Sequence, residues 1–186
     1  MDRKRAILVA KDILGTIVRN VHLRRELVKV CAEPKLNFWR VMYGNLTDTA
    51  ALEWCKLFGS DDSETQPVHW KSIAQDHERF RKDLLKAIGV SRAEWDAYWI
   101  ELKTYRDRAV AHFDPRQISI ARYPDFDLAL KSSYFYYTYL RAELSTLGEG
   151  LLPEDLEQYS LQFARKCGEV AAVALNATKK ISETSY

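Results

Sequence analysis

Apolar residues recur at helical spacing along nearly the whole chain. Ala6, Ala10, Ile13, Ile17 and Val21, then Leu27 and Cys31, trace one stripe through Arg3–Glu33, with charged positions on the other side. That pattern predicts a first helix of roughly 45 Å if unbroken. Gly15 is its weak point, and Pro34 stops it. A second helix is expected from about Leu36 to Phe58, with Phe38, Met42, Thr49, Leu52 and Cys55 on its inner side and Gly59 just past its end. Ser60–His69, acidic and holding Pro67, reads as a loop. A third helix is expected over about Trp70–Ile88, carrying Ile73, Phe80, Leu84 and Ile88 and closing at Gly89.

Ser91 and Glu94 then form an S-x-x-E capping box, the clearest start signal in the chain. The helix it opens carries Trp95, Trp99, Leu102 and Ala109. It should end near Phe113, because Pro115 pushes Asp114 out of the α region. Gln117–Tyr123 alternates weakly and reads as a connector. Pro124 and Asp125 open a fifth helix to about Leu147, rich in aromatics (Tyr134, Phe135, Tyr136, Tyr137, Tyr139). Gly148 and Gly150 separate it from a sixth, expected to start at Pro153 with Glu154 and Asp155 in its first turn. Ala164, Cys167, Ala171 and Ala174 give that helix a side of small residues. The whole predicts an all-α, up-and-down helical bundle of five to six long helices, a single domain over residues 1–186.

Composition narrows the class. Gly and Pro are scarce (7 and 5), which disfavours a turn-rich β-sandwich. The longest uncharged stretches, Ser132–Leu140 and Val170–Thr178, are about half of what a membrane-spanning helix needs, so no membrane partner is expected. Lys11 and Asp12 interrupt the apolar run that follows the basic start, which argues against a secretory signal. Cys31, Cys55 and Cys167 are odd in number and form no C-x-x-C pair; they read as reduced thiols of a cytoplasmic protein. Net charge is only +2, yet it is unevenly spread: Met1–Arg25 is net +5, Lys71–Arg92 net +3 and Arg141–Ser160 net −4. A basic face opposite an acidic one is therefore open to the fold.

Several chemistries lose their signatures. None of His22, His69, His77 and His112 has an acid three residues before it, and no H-E-x-x-H or Cys/His cluster occurs, so neither a metal nor another cofactor is expected. Glycine-rich phosphate loops and a G-x-S-x-G elbow are missing as well. His69 reads as a capping or packing residue and His77 as part of a solvated face. Asp61, Asp62 and Glu64 read as capping the helix that follows them. The aromatic run Tyr134–Tyr139 has the spacing of a core face, although such rings also stack unpaired bases.

What remains is Tyr105-Arg106-Asp107-Arg108-Ala109-Val110-Ala111-His112, late in the fourth predicted helix. A guanidinium stays charged and grips phosphate bidentately. Imidazole titrates near neutrality and so suits proton transfer, and neighbouring arginines disfavour its charged form. On an ideal helix Arg106 and His112 point about 120° apart. They converge on one phosphate only if the helix is distorted there or if the pair acts across a dimer.

The run Arg106–His112 resembles the R-x(4–6)-H motif of the HEPN superfamily, all-α bundle proteins that include metal-independent ribonucleases of bacterial defence and toxin–antitoxin systems. Asp107 stands where that family prefers a small polar residue. The stretch Trp54–Trp70 also looks like the phage-abortive-infection type. The resemblance implies a homodimer in which two motifs meet across a two-fold axis, with RNA as substrate and an antitoxin protein as a further partner. It implies His112 as proton-transfer group, Arg106 as stabiliser of the transition-state charge, and Asp107 as the group that orients them. Arg108 and Tyr105 would be RNA contacts. The alternative expectation is a non-catalytic HEPN-like module that binds RNA or a partner protein.

Overall fold

The computed structural model describes residues 1–60, 66–111 and 123–182. It is an all-helical bundle, and the predicted class holds. Seven α-helices are described: α1 (Arg3–Val30), α2 (Asn37–Phe58), α3 (Trp70–Ile73), α4 (His77–Ile88), α5 (Arg92–Tyr105), α6 (Asp127–Ser145) and α7 (Leu156–Thr178), with a π-helical turn, Arg106–Ala111, continuing α5. All but the four-residue α3 run 12 residues or more. No described helix is long and apolar enough to cross a membrane.

α1 is the central strut, packed against α2, α6 and α7. It runs through Gly15 without a break and starts on Asp2, whose side chain accepts from the Arg5 amide. Ile7, Leu14, Ile17 and Val18 are fully buried on it; each such side chain contributes about 1.5–3 kcal/mol by leaving water. The main core continues through Trp54 and Phe58 on α2, Phe80 and Leu84 on α4, Trp95 and Leu102 on α5, and Tyr136 and Leu140 on α6. A smaller cluster joins Leu27, Trp39 and Tyr43 to Ala171 and Leu175 of α7.

Three expectations need correction. The inner face of α2 is shifted over its first half: Trp39, Tyr43, Leu46 and Ala50 point inward, while Phe38 is 59% exposed; Cys55, near the end, is buried as expected. The reason is polar. Tyr43 gives its hydroxyl to the carbonyls of Leu27 and Cys31, and the Trp39 indole donates to Thr178 Oγ1 at 2.9 Å. Those partners satisfy buried polar tips that a purely apolar count ignores. The predicted helix over 70–88 is interrupted after Ile73, because Asp76 restarts it as an N-cap that accepts from the Arg79 amide at 2.9 Å. α7 begins at Leu156 rather than Pro153: Asp155 is its cap, accepting from the Gln158 amide, and Glu157 occupies the first turn.

Other boundaries follow the local chemistry. Gly59 and Gly89 end α2 and α4, and Gly89 takes the left-handed φ of 72° that favours glycine. The capping box at Ser91 and Glu94 is complete, each side chain bonding the other's backbone amide. The expected connector lies, apart from Tyr123, outside the described residues.

Candidate functional site

α5 carries the candidate motif, and its buried face sets where the motif sits. Trp95, Tyr98, Leu102 and Tyr105 pack inward at helical spacing. Trp95 and Tyr98 hold their rings against Trp54 of α2. At the far end the Tyr105 hydroxyl donates to Asp48 Oδ1 of α2 at 2.5 Å. Burial, and then the Asp48 carboxylate, push the phenol well above its ordinary range. Tyr105 is 7% exposed; the ring expected to meet RNA instead belongs to the core and ties α5 to α2.

The backbone changes character one residue later. The Arg106 amide is shared between the carbonyls of Leu102 and Lys103, and the π turn runs from here to Ala111. Single π turns inside helices are frequent at functional sites. The helix is therefore distorted where the motif begins, which is one of the two conditions the sequence set for convergence. Arg106 places Nε 2.7 Å and Nη2 2.6 Å from the same Asp107 oxygen. Its guanidinium, 22% exposed, also acts on the Cys55 thiol of α2. Burial pushes that thiol up to about 11, against the pull of Arg106. Asp107 is partly open and Arg108 is exposed. His112 lies outside the described residues.

Around this turn the fold brings together residues the motif does not contain. Arg24 of α1 sits 5.0 Å over the Tyr123 ring, which lies 6.3 Å from Tyr105. Arg24 Nε is buried and has no hydrogen-bond partner among the described residues. Arg24 and Arg25 border a cavity of about 160 Å³ closed by Thr47, Tyr123 and Phe126, and Arg25 is paired with Asp127. Asp48 and Cys55 had a faint signal, being seven residues apart and hence on one face of α2. Arg24 had none.

The remaining histidines behave as their surroundings dictate. His69 is buried and caps α3, its Nδ1 accepting from the Lys71 amide. His77 is exposed, with Nε2 2.6 Å from the Lys71 carbonyl oxygen. His22 joins Tyr134 and Ser160 in a buried chain at 3.0 and 2.8 Å, and burial and then Arg25 lower its pKa. Tyr136 and Tyr137 are core residues and Tyr134 is half-buried. The acids Asp61, Asp62 and Glu64 lie outside the described residues. Among the described residues, no group of His, Cys, Asp and Glu is arranged to hold a metal. No protein-family model, curated protein or solved structure matches the chain.

Proposed function

We propose that the chain is a metal-independent endoribonuclease of the HEPN type, working as a cytoplasmic homodimer in bacterial phage defence or a toxin–antitoxin pair. The observation that carries this reading is the π turn that starts at Arg106, with its guanidinium oriented by Asp107 and the exposed Arg108 beside it. Arg24 on α1, whose Nε has no hydrogen-bond partner among the described residues, adds a further cation for a phosphate. In the proposed reaction His112 takes the proton of a ribose 2′-OH. The 2′-oxygen bonds to the adjacent phosphorus, the bond from phosphorus to the 5′-oxygen breaks, and the leaving oxygen takes up a proton. Arg106 stabilises the added charge on the non-bridging oxygens. The products are a 2′,3′-cyclic phosphate and a free 5′-hydroxyl.

A second reading, a non-catalytic module that binds RNA or a partner protein, is favoured by one feature. The Arg106 guanidinium is already engaged by Asp107 and packed beside Cys55. End-labelled RNA incubated with the protein in EDTA separates the two. Cleavage with cyclic-phosphate ends, reduced about 10²–10⁴-fold in His112→Ala and also lost in Arg106→Ala, is expected. Parental cleavage by His112→Ala would overturn the nuclease, and RNA retention without cleavage would favour the module.

A further inference from the structure

Four of the five tryptophans gather at the end of α5 away from the π turn. Three of them, Trp70, Trp95 and Trp99, wall a cavity of about 350 Å³ between the end of α2, the α3–α4 corner and the first half of α5. That volume is in the range of small-ligand clefts, about 300–1,000 Å³. The rings are fixed in place. Trp70 stacks on Phe80 at 4.7 Å and 9°, and the half-buried Trp99 donates its indole N–H to the Phe58 carbonyl at 2.7 Å.

The rim is cationic. Among the described residues, the charged side chains that border the cavity are Lys71, Arg81, Arg92 and Asp96. Arg92 takes both Asp96 oxygens at 2.8 Å, which leaves the rim's acid neutralised. Arg81 lies 5.6 Å over the Trp70 ring and makes no hydrogen bond or ion pair among the described residues. Lys103 sits 4.7 Å over Trp99 and carries the positive strip on toward Arg106, which lies seven residues and about 10 Å beyond Trp99 along the helix. Flat aromatic walls beside unspent guanidinium charge match a nucleotide, whose base stacks and whose phosphate pairs. An acidic peptide would use the charge and leave the indoles without a partner.

We propose that this groove seats one nucleotide of a single-stranded RNA, its base against Trp99 and its phosphate on Arg81, and leads the strand along α5 to the π turn. The inference rests on the RNA reading above, but not on cleavage. It is tested by fluorescence anisotropy of the full chain with a labelled 2′-O-methyl oligouridylate, which has no 2′-OH to attack.

Arg81→Ala should weaken binding about tenfold and flatten the salt dependence by about 0.7 in log–log slope, one phosphate contact's worth on a single strand. Trp99→Leu should lose about tenfold while Trp99→Phe stays near the parent, since any aromatic face can stack. Arg165→Ala, exposed on α7, should change nothing. Unchanged affinity and slope in Arg81→Ala overturn the groove even if RNA is cut. Binding lost in the groove variants without any cleavage keeps the groove and removes the nuclease. No binding by the parent overturns the groove, and uridine monophosphate binding as tightly as the strand marks a free-nucleotide site instead.

Discussion

The two ends of α5 are built in different ways. Its first turn is closed by neighbours in sequence, Ser91 and Glu94, and the helix enters an aromatic cluster in which Trp54, Phe58, Trp95 and Tyr98 interlock. Its last turn is held by a residue 57 positions away, Asp48, and then opens into the π turn. One end has a regular backbone and a locally specified cap. The other combines a half-buried carboxylate, an arginine paired with the adjacent aspartate and an irregular backbone. Departures of this kind from local rules concentrate where a protein carries chemistry, and in this helix they fall at the second end.

The contrast can be broken from the aromatic end first. Trp54 is fully buried and donates its indole N–H to Ser132 Oγ at 3.0 Å. Trp54→Ala should cost about 3–5 kcal/mol, read as a lower urea midpoint, and a loss below about 1 kcal/mol would mean that the cluster does not hold α2, α5 and α6 together.

Tyr105→Phe tests the other end. It leaves Asp48 without its donor and should cost about 1.5–3 kcal/mol, the range for hydrogen bonds to charged groups. Combined with Asp48→Ala in a double-mutant cycle, the two losses should be far from additive; simple additivity would show that the tie does not hold the turn. The smallest effect belongs to the capping box. Ser91→Ala should lower stability by about 1 kcal/mol and leave any RNA affinity intact, and a change in affinity would show that the two ends are coupled.

Much of the bundle was legible because helices answer to local rules. The stripe of α1, the glycine ends of α2 and α4, and the Ser91 cap follow from spacing and backbone chemistry within a few residues. The face of α2 was misread because Tyr43 and Trp39 can be buried only where Leu27, Cys31 and Thr178 receive their polar tips, and those partners lie on other helices or past the end of α1. The break at residues 74–76 was hidden by a continuous apolar period, Ile73 to Phe80 to Leu84, that ran straight through it.

The candidate site divides along the same line. By itself the chain determined that Tyr105, Arg106, Asp107 and Arg108 are consecutive, late in a helix and cationic, because adjacency and charge are properties of order alone. Tertiary structure decided that Tyr105 faces inward to Asp48, that Arg106 lies beside Cys55, and that Arg24 arrives from α1 over Tyr123. It also gathered Trp70, Trp95, Trp99 and Arg81 around one groove. A hydrogen bond or a ring contact between residues dozens of positions apart depends on how helices cross, and that is set by the shape and volume of the whole core.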